Sequence, residues 1–406
     1  MLGCLLALAP GVRADNFYIE IDYMVGGTPN HSHQPSQAVI DAVVQMFACQ
    51  GHTLTIVVDD QLTHVNVLVR DPNDCDASLF SYNGTNSYGA IKAANFDRAA
   101  NANPWHYCIF AHQYQDGNCN TTTSSGLANS GEDFIVTLGA FSGQTGTLFD
   151  QAATLAHEFG HNLGLSHCGS QYCGSDTADP DYVGPYVSNM PSVMSYRYQL
   201  SGVKFNMLCN GLTFDLALFK DIDYSHGRMC ALDEDALNEV AGTQMISTDW
   251  DCDGTLEASI AWNTNNNNFC DSGGNRTIVT DYNEWANLVD GAAIPANMRS
   301  NEEYTCITAE EWNIIQNQMA MRGGSCGQPT LATENCLSGE NMYVGDFFFV
   351  EAGTCIFPYD SVQQAHNAAP NNSRFYIKPG TYNEAGVVTL DKPGYYFCNT
   401  GSAIID

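Results

Sequence analysis

The sequence predicts an α+β protein in which helices back a twisted mixed sheet and a small β-rich tail follows. Several short segments alternate apolar and polar residues, which is the period of a half-buried strand. Segments with helical periodicity separate them, as expected where strands and helices build one layered unit. Near the carboxyl end the pattern changes to brief β-runs broken by Pro-Gly and Asn-Thr-Gly turns.

Seven elements are predicted before residue 225. The first strand, NFYIEIDYMV, has the clearest alternation, and a glycine-rich turn separates the strand FIVTLGAF from the helix after it. We expect these elements to form the scaffold for the chemistry. The predicted strands are Asn16–Val25, Leu54–Val58, Tyr107–Tyr114 and Phe134–Phe141, and the predicted helices are Ser36–Cys49, Tyr88–Ala99 and one that starts near Leu148.

A chain of 406 residues is long for one domain, and this length favours two or three units that each bury a core. The patterns weaken into asparagine- and glycine-rich loops after about residue 211 and change again in the tail. We divide the chain into a signal peptide (1–14), a main unit (15–225), an insertion or extension (226–335) and the β-rich tail (336–406).

The chain is strongly acidic, with 14 Lys and Arg against 45 Asp and Glu and a formal net charge of −31. Phosphate backbones and anionic membranes repel such a chain, so we expect neither nucleic acid nor a membrane surface as a partner. The sequence also lacks the roughly 20 continuous apolar residues of a membrane span. Solubility explains the acidity most simply, and calcium binding by some of the carboxylates is the alternative.

Cysteine usage predicts an oxidising compartment. The 16 cysteines are too many and too scattered for a cytosolic enzyme, and we interpret them as a disulfide set of a secreted protein. The apolar run Leu2–Ala9 and the small residues around Arg13 are typical of a signal peptide, either short or the end of a longer one. Its removal would take Cys4 and leave an odd number of cysteines.

The segment LAHEFGHNLGLSH brings the residues of a zinc site into one short stretch. On a helix, His157 and His161 lie one turn apart on the same face, so both imidazoles can ligate one ion. Glu158 is next to the first ligand and can act on a water in the open fourth position of a catalytic zinc. Gly164 lets the chain leave the helix with positive φ and brings His167 round as third ligand. A bare His-Glu-x-x-His also occurs on ordinary amphipathic helices, but the full pattern is specific.

The full pattern, together with the segment PSVMSY (Pro191–Tyr196), resembles the signature of the metzincin clan of zinc metalloproteases. The resemblance implies zinc held by the three histidines, Glu158 as general base and a Met-turn whose Met194 packs beneath the metal. It also implies that Tyr196 is a further zinc ligand or stabilises the oxyanion, with a buried or rim tyrosine as the alternative. Residues 15–225 are then a metzincin-like catalytic domain.

In this clan an edge strand of the sheet precedes the active-site helix and lies beside the substrate. By resemblance, Phe134–Phe141 takes this place, and an extended protein or peptide substrate would pair along it by strand addition. A core strand is the simpler interpretation, and the two are compatible.

The residue after the third histidine usually marks the branch of the clan, and here it is Cys168. Cys168 and Cys173 are close enough to form a small disulfide clip beside the zinc site, and either could instead pair with Cys209. The branch is left open.

A second metal site is predicted in the segment DWDCDG. Asp249, Asp251 and Asp253 have the spacing of a calcium loop, with a glycine at the sharp turn. Ile260 stands where an EF-hand has glutamate, so we predict a structural calcium loop, with a solvated acidic turn as the alternative.

Most other histidines lack ligand spacing to one another, apart from His31-x-His33, and a surface or core role is the simpler interpretation. We assign them no function. They are His31, His33, His64, His106, His112, His226 and His366.

Together these features predict a secreted zinc-dependent endopeptidase. The tail resembles the first coils of a right-handed parallel β-helix, and because such coils need stacked neighbours we expect further coils beyond Asp406. The alternative is a surface- or polysaccharide-binding or adhesion protein that acts through this tail and has a secondary or inactive metalloprotease domain. A zinc hydrolase for a non-peptide substrate is a third hypothesis.

Overall fold

A computed structural model describes the chain from residue 15 onward, with gaps. The described residues are 15–48, 50–99, 101–170, 184–203, 222–227, 229, 231–240, 255–262, 278–294 and 303–313, together with five short strands between 341 and 405. The predicted signal peptide and the calcium-loop residues Asp249, Asp251 and Asp253 lie outside them, so both stay predictions.

The described strands and helices alternate along the first part of the chain. The strands are β1 (Asn16–Gly26), β2 (His31–Ser32), β3 (Thr53–Thr63), β4 (Trp105–Ala111), β5 (Gly126–Asn129), β6 (Asp133–Thr137), β7 (Leu232–Asp233), β8 (Ile278–Val279), β9 (Glu303–Thr305), β10 (Asn341–Val344), β11 (Ser373–Ile377), β12 (Gly380–Tyr382), β13 (Gly394–Cys398) and β14 (Ala403–Ile405). The helices are α1 (Gln37–Ala48), α2 (Tyr88–Asn95), α3 (Leu148–Asn162) and α4 (Tyr196–Gln199).

Seven strands form one mixed sheet, in the order β3-β1-β4-β6-β5-β9, with β2 paired to the end of β1. The strands β1, β3, β4 and β6 run parallel, whereas β5 is antiparallel to β6 and β9 is antiparallel to β5. The prediction that Phe134–Phe141 is the edge strand is wrong, because β6 lies between β4 and β5. The strand GLAN of β5 is too short to show a period, which is why the sequence did not reveal it.

Two apolar clusters lie on the two faces of this sheet. On one face, α1 packs against α3, and Phe47 of α1 meets Phe159 of α3 with ring centroids 5.5 Å apart. On the other face, α2 begins at Tyr88, which is fully buried and packs on Tyr107 of β4. Helices therefore lie on both faces of the sheet.

Helix α3 has a strong start and a strong stop. At Thr147 the side chain accepts a hydrogen bond from the Asp150 backbone N–H, and Asp150 accepts one from the Thr147 N–H, which is a capping box. At the other end, Gly164 has φ +80°, as predicted, and the Leu165 N–H bonds the Gly160 carbonyl. The chain therefore turns sharply towards His167.

The tail strands pair in parallel. The strands β10, β11 and β13 form one three-stranded parallel sheet, and β12 and β14 form a parallel pair. Parallel pairing is compatible with β-helix coils, and the β-helix itself stays a prediction.

Within the described residues, none of the helices has the length and apolar character needed to span a membrane.

The capping box of α3 yields a stability prediction. Thr147→Ala removes the side-chain acceptor at the helix start and is expected to lower the free energy of unfolding by about 1 kcal/mol. Urea denaturation curves recorded by circular dichroism measure this change in the free energy of unfolding. The control Thr145→Ala leaves the box intact, and equal losses in both variants would contradict the role of the cap.

Candidate metal centre

Three histidine rings converge at the end of α3. His157 and His161 lie one helical turn apart, and the turn at Gly164 returns His167 to the same point. The three Nε2 atoms are 3.1 Å (157 to 161), 3.0 Å (161 to 167) and 3.3 Å (157 to 167) apart. A tetrahedral zinc ion with bonds of about 2.0–2.1 Å needs nitrogen atoms about 3.3 Å apart. We call this group the three-histidine site.

The other ring nitrogens are held by backbone carbonyls. The Nδ1 atom of His157 is 2.7 Å from the Val193 carbonyl, and that of His161 is 2.8 Å from the Leu165 carbonyl. A carbonyl only accepts, so each Nδ1 carries the proton and each Nε2 presents a lone pair to the centre. The residues present therefore fit a metal ion.

The protonation states also suit a metal site. Burial lowers the pKa of His157 to about 4, and burial together with the neighbouring imidazoles lowers the pKa of His161 and His167. All three rings are thus neutral at pH 7, which is the form that binds metal.

The segment around Met194 packs against α3. Met194 is fully buried, and a Cβ added to Gly160 would lie only 2.4 Å from its sulfur, so the turn and the helix touch closely. The turn also supplies the Val193 carbonyl to His157. Tyr224 adds a hydrogen bond from its hydroxyl to the Ala156 carbonyl at 2.6 Å.

Glu158 lies beside the three-histidine site and is completely buried. Its carboxylate oxygens accept no well-aligned hydrogen bond from the described residues, and the thiol of Cys306 lies against the carboxylate. Burial raises its pKa well above the ordinary value. Space for the carboxylate exists because residue 126 is glycine: a Cβ there would lie 2.2 Å from Oε1.

Tyr196 is brought to the site at the start of α4. Its ring centroid is 4.6 Å from that of His167 and 6.0 Å from that of His157. Burial raises its pKa well above 10, so the phenol stays protonated. The hydroxyl donates to the Thr305 carbonyl at 2.6 Å, which makes it a hydrogen-bond donor at the rim of the centre.

A segment from the predicted extension (226–335) crosses the three-histidine site. Residues 303–309, which we call the strap, run antiparallel along residues 123–129, with β9 paired to β5 and the Ser125 N–H bonded to the Ile307 carbonyl. The Tyr304 ring stacks on the His161 ring, at 4.5 Å and an interplanar angle of 10°. The position of the strap could not be predicted, because nothing local in its sequence points to α3.

Glu303 anchors one end of the strap. Its carboxylate forms a 2.5 Å ion pair with Arg70, which is largely buried, and accepts from the Ser78 hydroxyl at 2.7 Å and the Leu79 N–H at 2.6 Å. The carboxylate thus pins the strap to the loop between β3 and α2.

The cysteines near the site are partly accounted for. Cys168 is disulfide-bonded, and both Cys173 and Cys209 lie outside the described residues. The structure adds a disulfide between Cys75 and Cys119, which the sequence did not predict as a pair.

Comparisons of the chain with models of protein families, with curated proteins and with solved structures returned no match. The resemblance to the metzincin clan therefore rests on the residues themselves.

A buried carboxyl group lies behind the Met-turn. Glu284 is fully buried, accepts a 2.6 Å hydrogen bond from the Ser225 N–H and also bonds the Ser192 hydroxyl. Burial, with lesser repulsion from Asp281 and Asp223, raises its pKa to about 8. In the folded state, the protonated form of Glu284 is therefore favoured at pH values below about 8.

This carboxyl makes stability depend on pH. Because the folded pKa is about 8 and the ordinary pKa of glutamate is 4.5, its stabilising contribution is complete below pH 4.5 and is lost as pH rises through 8. Glu284→Gln, which stays neutral, is expected to raise the melting temperature at pH 9 and to change it little at pH 5. Calorimetry at both values tests this, with the exposed Asp41→Asn as control. A gain that is equal at pH 5 and pH 9 would contradict it.

Proposed function

We propose that this protein is a secreted zinc-dependent endopeptidase of the metzincin type, with one catalytic zinc ion held by His157, His161 and His167. The observation that carries the proposal is the convergence of three neutral, oriented imidazoles within 3.3 Å of one another, with a buried glutamate beside them. Three protein ligands leave the fourth position open, which is the arrangement of catalytic rather than structural zinc.

Each residue of the site has a chemical task in this proposal. When bound, zinc supplies a Lewis acid that lowers the pKa of water towards about 7 and polarises a carbonyl. Glu158 takes the proton from the attacking water and returns it to the leaving amine. Tyr196 donates its hydroxyl to the carbonyl oxygen on which negative charge develops. Met194 supports the centre through Gly160 and contributes no ligand atom.

The strap supports peptide as the substrate class. It is a stretch of polypeptide that pairs antiparallel with β5, and its Thr305 carbonyl accepts from the Tyr196 hydroxyl. A peptide substrate would use the same backbone groups of β5 by strand addition. The role predicted for Phe134–Phe141 therefore moves to β5, and substrate entry requires the strap to leave.

The other predicted features accompany this proposal as hypotheses. They are the secreted location, the structural calcium at Asp249, Asp251 and Asp253, and contact of the tail with polysaccharide or a surface. An adhesion protein with an inactive domain is the less favoured alternative, because Glu158 is retained and has the space it needs at Gly126.

The general base is tested by Glu158→Gln and Glu158→Ala. Both are expected to lower casein or gelatin hydrolysis by about 10²- to 10⁴-fold, the usual contribution of a positioned acid-base group, while zinc stays bound. Activity assays and elemental analysis of the same samples measure the two effects. The exposed control Glu310→Gln is expected to keep both. Full activity in either Glu158 variant would remove the mechanism.

The strap is tested by weakening its anchor. Glu303→Gln removes the charge opposite Arg70, so the strap should be displaced more easily and kcat/KM for a short peptide should rise roughly tenfold, or about 1.4 kcal/mol. Peptide hydrolysis with a fluorogenic substrate measures this, and the exposed Asp41→Asn on α1, far from the strap in the sequence, is the control. An unchanged or lower kcat/KM in a folded Glu303→Gln protein would show that the strap does not compete with substrate.

A further inference from the structure

A second group of histidines comes together far from the helix motif in the sequence. His31 begins β2, His33 follows that strand, His64 follows β3 and His112 follows β4. Their ligand nitrogens all lie within 4.8 Å of one another. Their sequence spacing suggested no common site, apart from His31-x-His33, but the structure brings all four together. We call them the four-histidine cluster.

The sheet explains why they meet. The parallel strands β3 and β4 flank β1 and end at the same edge, so the residues after them are neighbours. The backbone of each is paired: the His33 N–H bonds the Met24 carbonyl at 2.9 Å, the His64 N–H bonds the Val25 carbonyl at 3.2 Å, and the His112 carbonyl accepts from Gly139 at 2.9 Å. His31 pairs with Gly26 where β2 meets β1. The rings thus project from rigid elements.

The spacing of the rings matches that of the three-histidine site. The six ring-centroid distances in the cluster run from 4.7 to 5.5 Å, compared with 4.7 to 5.2 Å in the three-histidine site. The His31 Nε2 atom is 3.0 Å from the His33 Nε2 and 3.3 Å from the His112 Nδ1. Tetrahedral zinc requires about 3.3 Å between its nitrogen ligands.

The backbone at Gly26 and Gly27 lies close against two of these histidines. A Cβ on Gly26 would lie 2.9 Å from the His64 Cβ, and a Cβ on Gly27 would lie 2.9 Å from the His31 Cε1. Both glycines also have positive φ, at 137° and 82°. The backbone therefore packs directly against the cluster, which a larger residue at either position would disturb.

Among the described residues, the His31 Nε2 atom has the ring nitrogens of His33 and His112 as its neighbours. The His31 Nδ1 is 2.8 Å from the Pro29 carbonyl, so it carries the proton and its Nε2 presents a lone pair. The His64 Nε2 is buried and has no hydrogen-bond partner among the described residues. Two imidazole nitrogens that face each other can share only one proton, in one hydrogen bond. One cation at the centre of the cluster would instead accept a lone pair from each of the four rings.

The protonation states agree with this geometry. Burial, followed by repulsion among the rings, lowers the pKa of His33 to about 3 and that of His112 to about 4. Burial also lowers the pKa of His64. These imidazoles are neutral at pH 7, as metal ligands must be.

We propose that the four-histidine cluster binds a second divalent transition-metal ion, zinc by preference, as a structural site. Imidazole donors select zinc, copper, nickel or iron over calcium and magnesium. Four protein ligands close a tetrahedral shell and leave no position for a reacting water, so this site crosslinks β2 with the ends of β3 and β4. The inference is independent of whether the three-histidine site hydrolyses peptides.

Zinc stoichiometry tests the proposal. The full chain, equilibrated with zinc and freed of excess, is expected to hold two ions at the two histidine groups by elemental analysis. His33→Ala/His112→Ala should lower the content by one, and so should His157→Ala/His161→Ala. His226→Ala, which removes a histidine paired with Asp223, is the control and should change nothing. A zinc content that the cluster double variant leaves unchanged would overturn the proposal.

If the cluster variant does not fold, X-ray absorption by zinc can test the proposal in a protein that keeps all four cluster histidines. In the zinc-loaded His157→Ala/His161→Ala protein, the remaining histidine-bound zinc is expected to show four imidazole nitrogens. A shell with two or fewer imidazoles, or no zinc retained by this folded variant, would overturn the site. Replacing zinc with cobalt should give the intense visible bands of a tetrahedral ion, whereas weak octahedral bands would overturn the closed shell.

Discussion

The close contact between α3 and the Met-turn is the constraint on which the three-histidine site depends. Gly160 has no side chain, so the sulfur of Met194 can lie directly against the helix. This contact brings the Val193 carbonyl to the Nδ1 of His157 and fixes which nitrogen faces the centre. Without it, His157 would keep its spacing from His161 but would lose the carbonyl that fixes its tautomer and ring orientation.

The rest of the centre is assembled around that contact by elements from distant parts of the chain. Strand β5 gives Glu158 its space at Gly126, and α4 presents Tyr196 to the rings. The strap then covers this face with backbone that is already paired to β5. In the proposed function, a peptide substrate would need the edge of β5 that the strap occupies, so substrate could bind only after the strap leaves.

The sheet supports two histidine groups by two different routes. In the three-histidine site the helix sets the spacing, and a glycine turn adds the last ligand. In the four-histidine cluster the spacing comes from strand ends that lie side by side only because β3, β1 and β4 are parallel neighbours. The ring separations are similar in the two groups, which is why the same coordination chemistry suits both.

Local patterns were enough to predict much of this protein. Alternation predicted β1, helical periodicity predicted α1, and the spacing of His157, Glu158 and His161 predicted the ligand face of α3, because all of these depend on residues within a few turns of one another. The turn at Gly164 was predictable for the same reason.

Tertiary structure alone decided the order of the strands and everything that order brings together. Strand β5 was too short to show a period, so β6 was misplaced at the edge, and the strap joined the sheet from more than 150 residues beyond β5. His64 and His112 are 48 residues apart and have no shared pattern. Their meeting follows from parallel strands ending at one edge, and no local signal in the sequence records which strands are neighbours.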